Sequence, residues 1–106
     1  GSQGGPGASQ AIREQKAKGV TVIGTTSPNQ AGQYLDDGTM TTAVLWDPGE
    51  AGYAMVWLAK QALEKKDVAE GTEIPTVGKI PSLKGNTITY NKPLTVDKSN
   101  RKQYDF

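Results

Sequence analysis

Thr41-Thr42-Ala43-Val44-Leu45-Trp46-Asp47-Pro48-Gly49-Glu50 is the stretch whose reading decides the fold. Residues 41–46 are β-branched or apolar with no charge, the pattern of a strand. Asp47-Pro48-Gly49-Glu50 then spells a helix start: an acidic cap, proline at the first helical position and glutamate two residues on. A strand that runs straight into a helix is one half of a βαβ unit.

Working outward, the same grammar recurs. Residues 20–23, Val-Thr-Val-Ile, form a short β-branched run closed by Gly24, which predicts a strand buried on both faces. Ser27-Pro28-Asn29-Gln30 is a second capped helix start, with an end expected near Asp37-Gly38. Upstream, residues 1–7 are too glycine-rich for regular structure, and a helix is expected over residues 8–18. Ala8, Ala11 and Ile12 mark its apolar face and Gly19 caps it. Downstream, residues 48–66 predict the longest helix, apolar over more than one stripe, packed on a sheet and partly covered at its sides. Residues 76–80, 87–90 and 94–96 read as short strands in a segment broken by Pro75, Pro81, Gly85 and Pro93.

Helices alternating with strands predict an α/β fold with a parallel sheet and right-handed crossovers. Two strong strands are too few for an independent doubly wound domain. More of the sheet is therefore expected outside these 106 residues, before the opening glycine-rich stretch.

Composition narrows the function. The 12 basic and 11 acidic residues leave a net charge of +1, so nothing electrostatic points to nucleic acid. Cysteine and histidine are both absent. That removes disulfides, thiolate metal sites, the Ser-His-Asp triad and most zinc sites. No apolar run is long enough to cross a membrane.

Candidate residues are few. Asp36 and Asp37 are acids beside a turn, read as a surface helix end rather than a general acid/base pair or a metal site. The Gly4-Gly5-Pro6-Gly7 stretch matches neither the dinucleotide fingerprint nor the P-loop pattern. Trp57 lies mid-helix and reads as packing. Trp46 is more informative, because ligands of open α/β sheets bind beyond the carboxyl ends of the strands. There an indole can either pack into the core or stack on the apolar face of a sugar, two readings of equal weight for Trp46 alone, and Asp47 can accept hydroxyl hydrogen bonds.

Taken together, Val22-Ile23-Gly24-Thr25-Thr26-Ser27-Pro28-Asn29-Gln30, Tyr34, Asp37-Gly38-Thr39, Leu45-Trp46-Asp47-Pro48 and Gly52-Tyr53 resemble the type I periplasmic binding proteins. Within that family the set is similar to the autoinducer-2 and rhamnose-type sugar receptors, and Ile74-Pro75 with Val77-Gly78-Lys79, and the ending Tyr104-Asp105-Phe106, resemble the autoinducer-2 branch.

The resemblance implies a three-layer, parallel-sheet lobe, incomplete in this chain, within a two-lobed receptor. Residues 1–46 would be part of the C-terminal lobe. Residues 47–75 would be a hinge crossing plus a helix belonging to the N-terminal lobe. Residues 76–106 would be the return crossing and the tail. Such receptors are not enzymes and carry no cofactor or metal. They bind a small sugar-like ligand between the lobes and deliver it to an ABC transporter permease. The ligand implied here is autoinducer-2, or a sugar of rhamnose or pentose type. The place implied is the periplasm, or the outside of a Gram-positive cell as a lipoprotein.

The positions carried over as ligand-binding are Pro6 and Ala8, with Trp46 and Asp47 at the strand end. The backbone N–H of Ala8 would donate from a helix start. Gly5 stands where a larger apolar residue is usual. Sugar-sensing effector domains of transcription regulators share this fold and form the alternative. They are told apart by a helix-turn-helix segment ahead of it.

Overall fold

A computed structural model describes all 106 residues, Gly1–Phe106. They form two units: Gly1–Leu45 with Pro93–Phe106, and Trp46–Lys92.

The first unit is built on a three-stranded sheet of order β1-β2-β7, where β1 is Val22–Gly24, β2 is Met40–Leu45 and β7 is Leu94–Val96. The two strong strands pair in parallel, as alternation with helices requires, and β7 adds antiparallel to β2. Helix α1 is Gly4–Glu14 and α2 is Pro28–Asp36. The core joins Tyr34, Leu35, Met40, Leu45 and Val96, with Tyr104 and Phe106 of the tail packed against it.

Four sequence expectations are corrected here. The opening stretch is helical, not loop: α1 begins at Gly4, and the Gly7 N–H donates to the Gln3 carbonyl at 3.0 Å. Pro6 is tolerated because it lies in the first turn, where its missing N–H has no helical partner anyway. The inner face of α1 is Gly5 and Ser9, while Ala8 and Ala11 are exposed. Glycine is needed there for close approach: a Cβ on Gly24 would come within 3.0 Å of the Gly5 Cα. Apolar periodicity could not locate a face defined by having almost no side chain.

The helix also stops earlier than expected. Lys16 takes the left-handed position that ends the helix, at φ 51°, and Gly19, left-handed too at φ 72°, lies in the loop beyond it. The Lys16 N–H donates to the Arg13 carbonyl and that of Ala17 to Ile12, which is a Schellman ending. Finally, β1 is not buried on both faces. Ile23 is 69% exposed, because α1 and α2 pack on the opposite face, toward Val22 and Met40.

The acids at the end of α2 are structural, as read from the sequence. Arg101 Nε donates to Asp36 Oδ1 at 2.6 Å. Arg13 Nε donates to Asp37 Oδ2 at 2.7 Å, and its guanidinium lies 4.2 Å from the Tyr34 ring centre. The Arg101 hydrogen bond holds the Asp36 carboxyl below its ordinary value. The hydroxyl and amide of Thr39, with Arg13, do the same for Asp37. A depressed folded-state pKa contributes stability above the unfolded value of about 3.9 and loses it as pH falls through the folded value. The first unit should therefore weaken on acidification below about pH 4. Urea titrations of Asp36→Asn and Asp37→Asn should show a flatter acid limb than the parent. An unchanged limb would remove these pairs from the account.

The second unit is helix α3, Pro48–Leu63, folded with two small hairpins. These pair β3 (Glu73–Ile74) with β4 (Gly78–Lys79), and β5 (Leu83–Lys84) with β6 (Thr87–Ile88). Ile74, Val77 and Ile80 form the core, with Trp57 and Leu58 of α3 packed against it. Trp57 is thus a packing residue. The helix stops at Leu63 rather than Lys66, through a second Schellman ending with Lys65 at φ 53°. The expected covering at its sides is absent within this unit. Met55, Val56 and Leu63 are exposed, since two-residue strands are too short to wrap a 16-residue helix.

Candidate binding site

Asp47 positions the first turn of α3. Its Oδ1 accepts from the N–H groups of Gly49 at 2.7 Å and Glu50 at 3.1 Å. Both bonds fall on one oxygen, so Oδ2 can accept from a ligand hydroxyl. The reciprocal half of the expected capping box is missing. Glu50 turns instead to Lys92, whose Nζ donates to Glu50 Oε1 at 2.7 Å. The same substitution occurs at α2. Ser27 Oγ accepts from the Gln30 N–H, but the Gln30 side chain accepts from Thr26 Oγ1 at 2.9 Å.

Trp46 lies just beyond β2 rather than inside a strand, and its side chain is 58% exposed. It borders a cavity of about 220 Å³ contained in the second unit. The walls are mainly apolar, from Ala54, Met55, Leu58 and Ile88, with Asp47, Glu50 and Lys92 as the charged groups. That volume is below the roughly 300–1,000 Å³ of drug-sized pockets and suits a small ring. The proton of the Tyr90 hydroxyl is shared between the carbonyls of Gly78 and Lys79, so toward a ligand Tyr90 offers its ring and an acceptor oxygen but no donor.

Pro6 and Ala8 belong to the first unit, on α1. Pro6 is half-buried and Ala8 exposed. The expectation that the Ala8 N–H donates to a ligand is corrected by the early start of α1. Ala8 is the fifth residue of the helix, so its amide belongs to the internal ladder. What Ala8 presents to its surroundings is an exposed methyl group. Gly5, which departs from the usual residue, is explained by its contact with Gly24.

Glu50, Tyr90 and Lys92 were not legible as site residues. Glu50 carried a helix-capping explanation, and Lys92 is 42 positions from its partner with no local pattern to single it out. No group of three or more acidic, histidine or cysteine residues is placed to hold a metal ion. No helix is long and apolar enough to cross a membrane.

Comparison with known proteins bears on this arrangement. The family model described as a periplasmic binding protein domain matches residues 1–67. Among solved structures, the chain is similar to LsrB from Clostridium saccharobutylicum in complex with AI-2, at 30% sequence identity and a TM-score of 0.72. The match covers 99% of this chain and 38% of that one, so this chain spans well under half the length of the protein it resembles.

Proposed function

This chain belongs to the periplasmic binding protein family, and from that premise we propose that it is the C-terminal part of the solute-binding component of an ABC importer. Its ligand is autoinducer-2 or a related small sugar, bound without turnover in the cleft of the whole receptor. The exposed indole of Trp46 beside the half-occupied Asp47 carboxylate carries this reading. Aromatic rings and unspent carboxylate oxygens are what recognise a polyhydroxylated ring. Pro6 and Ala8, the positions carried over by the resemblance, belong to the same proposal as small apolar residues. The likeness to a protein solved with AI-2, over nearly all of this chain, supports the ligand class.

On the same proposal, the remaining part of the receptor covers the exposed face of α3, and an ABC permease receives the ligand. Residues 47–75 would serve the N-terminal lobe together with the hairpin residues up to Lys92 that share their unit, which moves the proposed return crossing from residue 76 to Lys92–Pro93, and residues 1–46 would serve the C-terminal lobe. The place of action would be the periplasm, or the cell surface in a Gram-positive organism.

Calorimetry on the whole receptor with autoinducer-2, rhamnose and ribose tests the reading. One of them should bind, and Asp47→Ala should weaken it by more than about tenfold, equivalent to roughly 1.4 kcal/mol. Asp47→Asn should keep α3 capped, since asparagine caps as well as aspartate. It therefore separates loss of the ligand contact from loss of the helix start. Equal affinity in the parent and Asp47→Ala, with the fold intact, would remove Asp47 from the site.

A further inference from the structure

Every residue lining the cavity beside Trp46 belongs to the second unit, so its donors and acceptors can be counted within that unit. Donors are scarce. The first turn of a helix ordinarily suits an anion, because its N–H groups have no helical partner. In α3 they are all taken. Pro48 has no N–H, those of Gly49 and Glu50 donate to Asp47 Oδ1, and that of Ala51 donates to the Asp47 carbonyl at 3.1 Å. The Tyr90 proton is shared between two carbonyls. Lys92 Nζ spends one N–H on Glu50 Oε1 at 2.7 Å and another on the Val77 carbonyl at 3.3 Å, which leaves one. The Trp46 indole N–H is the other side-chain donor of the lining that no protein group takes.

Acceptors are in excess. Glu50 Oε2 and Asp47 Oδ2 receive no bond from the protein, and the Tyr90 oxygen keeps a lone pair. The charged lining sets two carboxylates, Asp47 and Glu50, against one ammonium, Lys92. The side chains of Glu50 and Lys92 both stay accessible to solvent, and so to a ligand.

We propose that Glu50 and Lys92 are specificity residues of this cavity, selecting a neutral hydroxylated ring and turning away its anionic esters. The unspent N–H of Lys92 donates to one ligand oxygen, while Glu50 Oε2 accepts from a hydroxyl. A hydroxyl both donates and accepts, so it satisfies this set. A phosphate dianion only accepts, and it meets two carboxylates of like charge. The inference rests on the sugar-binding reading and deepens it.

Calorimetry on the whole receptor pairs each neutral probe (autoinducer-2, rhamnose, ribose) with its phosphate monoester. The ester should bind about 100-fold more weakly than the neutral sugar, the size of a like-charge clash in a binding site. Glu50→Gln keeps the side chain's size and one acceptor but removes its charge, and should narrow that ratio by about tenfold. Lys92→Met leaves the two carboxylates unopposed and should widen the ratio. Opposite shifts are the signature of recognition, because damage to the fold lowers both affinities alike and cancels in the ratio. An ester that binds the parent as tightly as its neutral sugar, or a ratio that neither substitution moves, would overturn the inference and leave the sugar-binding reading in place. Binding of none of the neutral sugars would overturn both.

Discussion

Replacing Gly24 by valine should destabilise the first unit by about 3 kcal/mol, the upper part of the range for overpacking a close-fitted interior. The added Cβ would lie 3.0 Å from the Gly5 Cα and 3.5 Å from the Gly5 nitrogen. These are backbone atoms of α1, so relief requires moving the helix. Two further methyl groups make the intrusion worse. Gly5→Ala is the instructive contrast. Its Cβ would lie 2.7 Å from Cε of Met40, the end of a flexible side chain that can swing aside. It should cost less than Gly24→Val despite the shorter contact. Urea unfolding of the two variants checks the order. If Gly5→Ala proves the more costly, helix position is not what Gly24 protects.

Trp46→Ala should weaken ligand binding in the whole receptor by about 30-fold, or roughly 2 kcal/mol, the size of an aromatic hot spot. The fold should be nearly untouched, because the indole is 58% exposed and makes no hydrogen bond. Trp57, packed against the Ile74 core, should behave in the opposite way. Trp57→Ala should cost up to about 3 kcal/mol, the lower end for tryptophan truncation in a core, because Trp57 is only partly buried. Calorimetric affinity read beside a denaturation midpoint separates the two roles. A Trp46→Ala receptor with full affinity would move the site away from the strand end.

Elements with strong local signals were legible. Ser27 and Asp47 were read as caps and both accept from the expected turn of backbone amides. Asp37-Gly38 ends α2 with Gly38 at φ 79°. Leu94–Val96 is a strand as read, although its antiparallel place beside β2 was not foreseen. The misreading of the opening stretch has a definite cause. Gly-rich residues 4–7 were judged by intrinsic propensity, which disfavours helix, whereas packing against Gly24 selects helix there. Tertiary contact overrode the local preference.

The candidate site divides in the same way. Trp46 and Asp47 were legible because a strand end followed by a helix cap is a local pattern with a known geometric consequence. Glu50, Lys92 and the cavity beside them were not, since they depend on two hairpins that return Lys92 to the first turn of α3.

By itself, then, the sequence determined the alternation of helix and strand, the capped starts of α2 and α3 and the position of Trp46 at a strand end. Each follows from steric and hydrogen-bonding preferences acting over a few residues. Only the tertiary structure decided where α1 begins, which face of β1 stays open and which partner Glu50 takes. Those outcomes depend on groups far apart in the chain meeting in space, and no local pattern of residues records such a meeting.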